Sequence, residues 1–329
     1  MNNFKTVSSS PHIRAKVTTA SIMTDVAIAL LPALVSGVYY FGFRAAFVTL
    51  LSVVFCIGFE FLWQKITKQA VTITDGTALV TGMLLAFNVP VGAPWWLLLV
   101  GAFFAIVIVK QFFGGVGNNF MNPALAGRAF LLASWPVLMT SWVPPFTSSA
   151  NSLDVVSTAT PLAVLKDEAA GTLPPLTDMF FGNVCGCIGE TSALALLLGG
   201  LYLVLKRVIS VRIPLSFIAT LAALVFIFPN GSLSRMDSVF YNVLGGGLML
   251  ASIFMATDYV TSPITKKGQV IMGVGCGILT FVIRRFGGYP EGASYAILLM
   301  NVATPLIDRW TKPRVFGTGK KGVGSYAKK

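Results

Sequence analysis

Residues 154–162 read Asp-Val-Val-Ser-Thr-Ala-Thr-Pro-Leu and bring one carboxylate and three hydroxyls together in a polar stretch between two apolar halves. A hydroxyl is a point of covalent attachment, and loops are where a chain presents side chains to an enzyme or a ligand. The loop opens with Val143-Pro144-Pro145 and closes with Pro174-Pro175, and proline at each end stops the flanking helices from running into it. A second set of reactive groups lies in or beside apolar segments: Asp25, Glu60, Asp75, Glu190 and Asp258. An ionised group there costs roughly 2.5–3.5 kcal/mol on insertion scales, so such acids mark an ion or proton path or pair internally. Asp75, between Thr74 and Gly76, is equally suited to capping a broken helix.

The remaining candidates carry less. Cys185 and Cys187 form a Cys-Gly-Cys pair, short of the four ligands of a zinc or iron–sulfur site, and the other cysteines, Cys56 and Cys276, are isolated. They read as small packing residues, with a cluster shared with a partner chain as the alternative. The one histidine, His12, precedes the first apolar run, so histidine catalysis and histidine metal binding within the membrane are unsupported.

The elements that must position these groups follow from composition. Of 329 residues, 55% are hydrophobic and 11% charged, and the mean hydropathy is +0.78. That balance fits a polytopic, all-α membrane protein and not a soluble domain. Spanning the hydrocarbon takes roughly 20 apolar residues. Spans are expected near 22–41, 45–64, 93–112, 122–142, 189–205, 213–229, 269–285 and 292–308. Two further segments, 75–89 and 238–257, are broken by Gly, Thr and Asp and read as discontinuous helices, which makes about ten.

With the N-terminus inside, only Arg44, Lys166, Arg235, Arg284 and Arg285 of the 24 basic residues fall outside. Lys65, Lys68, Lys110, Arg128, Lys206, Arg207, Arg212, Lys266, Lys267 and the tail fall inside, as the positive-inside rule expects. The net charge of +12 therefore reports topology and not nucleic-acid binding. The halves echo one another: Gly82-Met-Leu-Leu-Ala86 with Gly247-Leu-Met-Leu-Ala251, Lys110-Gln-Phe-Phe-Gly-Gly115 with Arg284-Arg-Phe-Gly-Gly288, and Met121-Asn122 with Met300-Asn301. Five spans per half is an odd number, so a second copy is inverted, and such repeats place a ligand or ion path near the midplane. The resulting division is 1–21 cytoplasmic segment, 22–142 first repeat, 143–178 extracytoplasmic loop, 179–308 second repeat and 309–329 basic cytoplasmic tail. That tail suits anionic lipid or an acidic partner, or simply fixes topology.

Residues 154–162 resemble the flavinylation signature Asp-x-x-(Ser/Thr)-Gly-Ala-Thr of the D subunit of Rnf electron-transport complexes and of the B subunit of sodium-translocating NADH:quinone oxidoreductase. Ser10-Pro11-His12 and Gly186-Cys187-Ile188-Gly189-Glu190-Thr191-Ser192 also resemble the family, with Cys187 where Ser is usual. The resemblance implies FMN joined through its phosphate to Thr160, with Asp154, Ser157, Thr158 and Ala159 completing the motif. Thr158 replaces the usual Gly and offers a second hydroxyl. It further implies a noncovalent riboflavin, a flavin transferase acting on the outer side, and a role in a sodium- or proton-pumping ferredoxin:NAD oxidoreductase of the bacterial or archaeal cytoplasmic membrane. The implied partners are an outer-face covalent-FMN subunit, membrane iron–sulfur subunits and a cytoplasmic NAD-binding subunit. The same tetrapeptide recurs at Ala303-Thr304-Pro305-Leu306 without the upstream Asp and Ser, at the inner end of the last span. The rivals are the quinone-reducing B subunit, which has a longer N-terminal extension, and a flavin-free solute channel.

Overall fold

The computed structural model describes residues 17–146, 160–166, 173–231, 233–289 and 291–313, and every regular element among them is helical. Asp154, Ser157, Thr158, Ala159, His12 and the tail beyond residue 313 lie outside the described residues. The longest apolar runs become α1 (Thr19–Phe41), α2 (Phe43–Ile66) and α13 (Lys266–Phe286), each long and apolar enough to cross a membrane. α1 begins where the Thr18 hydroxyl accepts a hydrogen bond from the Ser21 amide. α9 (Ala193–Leu205) and α10 (Arg212–Ile227) are apolar but shorter, and α14 (Ala293–Thr311) closes the described chain.

Helices occupy every expected span, but two are not uniform. The span at 93–112 is α4 (Trp95–Phe103), which continues as a π-helix over Phe104–Gln111. The span expected at 122–142 splits into α5 (Pro123–Ser134) and α6 (Pro136–Met139), because Pro136 has no amide to donate and Trp135 leaves helical geometry at φ −133°, ψ 63°. Two short helices follow, α7 (Pro161–Lys166) within the loop and α8 (Leu176–Phe181) across its end.

Both broken segments are short helices entered through a left-handed glycine. α3 (Thr77–Phe87) follows Gly76 at φ +76°, and α12 (Leu248–Leu250, continuing as a π-helix over Ala251–Met255) follows Gly247 at φ +63°. Gly is the residue that adopts this conformation without strain. α12 is bent by 64° from the preceding α11 (Arg235–Leu244), and together the two pass as one apolar span. Nearly every residue of α3 is buried, as expected of a helix apolar on all sides. It reaches α2 closely enough that a Cβ on Gly82 would sit 2.6 Å from the Val53 Cα, and the Ser52 hydroxyl donates to the Gly82 carbonyl at 2.9 Å. The far ends of the two broken helices meet, with the Asn88 side chain 3.7 Å from Met255 Sδ and the Asn122 amide donating to the Met255 carbonyl at 3.3 Å.

Hydrogen bonds define two ends of the bundle. At one end Tyr202 donates to Asp25 at 2.7 Å, Ser210 bonds Gln269 at 3.0 Å, and Ile264 donates to Asp308 at 3.1 Å. At the other end Tyr40 donates to the Phe181 carbonyl at 3.2 Å, Arg44 to the Gly92 carbonyl at 3.3 Å, and Lys166 to the Gly287 carbonyl. Asp75 accepts from both the Thr77 amide, at 2.8 Å, and the Thr77 hydroxyl, at 2.6 Å, and so caps α3. Asp75→Ala is expected to destabilise the protein by about 1 kcal/mol through loss of that cap, read as a lower unfolding midpoint in detergent.

Candidate functional site

Thr160 ends the undescribed part of the loop and starts α7. Its hydroxyl accepts from the Ala163 amide at 3.3 Å, and its carbonyl accepts from the Val164 amide at 3.1 Å, so the residue caps the short helix with its own side chain. α7 is held down by Leu162 and Leu165, which pack with Met179 and Tyr241, and by Lys166 at its end. The result is a threonine only 7% exposed, positioned on the wall of a cavity of about 330 Å³. Thr304, which carries the same local tetrapeptide, lies at the opposite end and donates to the Thr261 and Met300 carbonyls at 3.0 Å.

Across the cavity from α7 stand Arg128 of α5, Glu291 before α14, and the rings of Tyr289 and Tyr295, stacked with centroids 5.7 Å apart and planes at 27°. Arg128 is fixed from several sides. It donates to Asn88 Oδ1 at 2.7 Å, to Ser294 Oγ at 3.0 Å, to Glu190 Oε1 at 3.1 Å and to a Glu291 carboxylate oxygen, and it also faces the Cys187 sulfur at 3.9 Å. A planar guanidinium with five donors is suited to such a node. Charge counted along the sequence puts Arg128 on the cytoplasmic face with the loop basic residues. It is instead buried in the cluster beside Thr160, because two carboxylates and polar acceptors compensate its charge.

The cluster extends to both broken helices. Asn88 is the C-cap of α3, and Glu190 packs where a side chain on Gly247 would otherwise go. Arg284 of α13 donates to the Glu291 carbonyl at 2.9 Å and to the Gly245 carbonyl at 3.2 Å, which satisfies acceptors freed by the break before α12.

The other acids lie elsewhere. Glu60, fully buried in α2, is 2.7 Å from Lys110 Nζ, which also bonds the Thr77 hydroxyl at 2.8 Å. Charge counting groups Lys110 with the cytoplasmic surface residues; this buried pairing at the start of α3 is the reason it is not one of them. Asp258 accepts from the Thr261 hydroxyl at 3.1 Å and shares a second cavity, of about 100 Å³, with Lys110, Asn119 and Asn122. Asp25 pairs with Tyr202 and, at 3.8 Å, with Lys206 near the surface. Of the sequence candidates, then, the structure joins Glu190 to the Thr160 cavity through Arg128, and Glu60 with Asp258 to Lys110. Sequence reasoning misses Arg128, Glu291, Tyr289 and Tyr295 as site residues. Arg128 does carry a signal, being an arginine inside an apolar span.

The cavity thus presents the Thr160 hydroxyl, an aromatic pair and the charged Arg128 and Glu291, and Glu291 also stands with Cys187 and Glu190 in a group whose ligand atoms lie within 4.8 Å of one another.

Residues 6–317 match the family described as NQR2, RnfD, RnfE. The chain is 54% identical over 317 residues to the D subunit of the Na(+)-translocating ferredoxin:NAD(+) oxidoreductase complex of Acetobacterium woodii, covering 96% of each chain. It is 43% identical to the D subunit of the proton-translocating ferredoxin:NAD(+) oxidoreductase complex of Clostridium ljungdahlii, covering 96% of this chain and 97% of that one. With the D subunit of the ion-translocating oxidoreductase complex of Halorhodospira halophila it shares 36% identity, covering 95% and 96% respectively.

Proposed function

The chain belongs to the NQR2, RnfD, RnfE family, and from that membership we propose that it is the multi-pass membrane D subunit of an ion-translocating ferredoxin:NAD oxidoreductase, relaying electrons through FMN esterified to Thr160. The observation that carries the flavin part is the position of the Thr160 hydroxyl on the wall of a cavity shared with Arg128, Tyr289 and Tyr295. When bound, the flavin supplies one- and two-electron chemistry. The chain's own residues would hold it: Thr160 by a covalent bond, with the tyrosine pair and Arg128 lining the same cavity. A noncovalent riboflavin belongs to the same reading, as do the partner subunits and the flavin transferase. The coupling ion is Na+ or H+, since relatives of both kinds align along the whole chain.

We read the membrane part as two inverted repeats with both termini cytoplasmic and the Thr160 loop outside. Three features support this. Each half has a short buried helix entered through a left-handed glycine, and the two helices approach end to end at Asn88 and Met255. Each also has a buried cation at the start of that helix, Lys110 on Thr77 and Arg284 on the Gly245 carbonyl. They belong to the two segments that the internal sequence match sets side by side, and they lie at opposite ends of the bundle.

The test is co-expression of the full-length chain with a flavin transferase, followed by fluorescence on a denaturing gel. A fluorescent band at the mass of the chain is expected. An unlabelled band under conditions that label a known acceptor would favour a flavin-free channel.

A further inference from the structure

We propose that the buried Arg128, with Glu291 opposing it, sets the reduction potential of the flavin in the Thr160 cavity, so that the potential is written into α5 and the segment before α14. This rests on the assignment of flavin to Thr160. Arg128 and Glu291 are the two charged side chains among the described residues lining the cavity. Arg128 is 5% exposed and tied to four neighbours besides Glu291, on the α3 cap, the segment before α9 and α14. It cannot swing to meet or avoid a new charge, which is the condition under which a fixed group acts electrostatically without reorganisation.

The chemistry is simple to balance. One electron taken from dithionite in the titration would add one negative charge to a ring held in this cavity, with no bond made or broken in the protein. The fixed guanidinium lining the cavity would favour that state and the fixed carboxylate would disfavour it, each more strongly in a buried site than in water. Glu190 lies behind Arg128, away from the cavity wall, so it tempers the guanidinium without facing the ring. Arg284 is committed to carbonyls at the broken helix and contributes less. The two lining charges therefore act with opposite sign, which a purely structural role would not produce.

The experiment uses the full-length chain, co-expressed with a flavin transferase and purified in detergent. Covalent label is first verified by gel fluorescence, and the flavin is then titrated with dithionite, with Thr160→Val as background. Glu291→Gln is expected to raise the one-electron equilibrium constant about tenfold, ~59 mV to more positive potential. Arg128→Gln is expected to lower it by at least as much, and Arg128→Lys, which keeps the charge, to stay within about threefold of the wild type. If both neutralising variants carry label and shift the same way, or neither shifts by more than about twofold, the proposal is overturned. Should Arg128→Gln fail to accumulate, Glu291→Gln decides alone: an unchanged or lowered potential overturns the proposal, and a raised one supports it. A wild-type chain without label overturns the flavin assignment itself, and the proposal falls with it.

Discussion

Thr160→Val is expected to abolish the covalent flavin fluorescence of the chain while leaving the protein folded. The loss is complete because the ester needs a hydroxyl, and valine replaces that hydroxyl with a methyl of similar volume. The fold survives because the hydroxyl makes one weak capping bond, at 3.3 Å from the Ala163 amide, worth about 1 kcal/mol in this position. α7 keeps its anchors at Leu162, Leu165 and Lys166. Two controls sharpen the outcome. Thr158→Val should keep the label, and Thr304→Val should keep it as well, since that hydroxyl is buried at the opposite end against the Thr261 carbonyl. A label lost in Thr158→Val and kept in Thr160→Val would move the attachment point by two residues.

The helices were legible in the sequence because their cause is local: runs of apolar residues bounded by Pro, Gly and charge. The broken segments were legible for a related reason, since Gly76 and Gly245-Gly246-Gly247 announce backbone that an ordinary helix does not adopt. What the sequence did not reveal was pairing. Arg128 and Lys110 look like positive-inside markers when charge is counted along the chain, and only the folded arrangement brings Glu190, Glu291 and Glu60 to them from other elements. Asp75 lay between the two regimes, because its capping partner Thr77 is two residues away and the choice could be stated in advance. The tyrosine pair is a further case: Tyr289 and Tyr295 are six residues apart, on either side of the α14 start, and no periodicity predicts that their rings stack over the Thr160 cavity. Local rules thus reached the helices, whereas the cluster around Arg128 depended on contacts distant in sequence.

The Glu60–Lys110 pair gives the largest expected effect on stability. Both side chains are almost fully buried, their charged atoms are 2.7 Å apart, and Gln64 and Thr77 bond the two ends of the pair. Glu60→Leu leaves the buried Lys110 ammonium without its ion-pair partner, bonded to the Thr77 hydroxyl and sharing a small cavity with Asp258, and should cost about 3–5 kcal/mol. The expected readout is loss of most of the folded chain after detergent extraction, or a strongly lowered unfolding midpoint. The double variant Glu60→Leu/Lys110→Met should recover most of that loss, because an apolar pair of similar volume avoids both the desolvation and the orphaned charge. Recovery would show that the pair adds no net stability. Its place points to function instead: Lys110 lies in the last turn of a π-helical stretch, a geometry frequent at functional sites, and lines the small cavity that Asp258 shares. A double variant that folds, keeps its covalent label and still fails to translocate ions in membrane vesicles would assign the pair to the ion path. One that translocates normally would leave Lys110 as a brace for the start of α3.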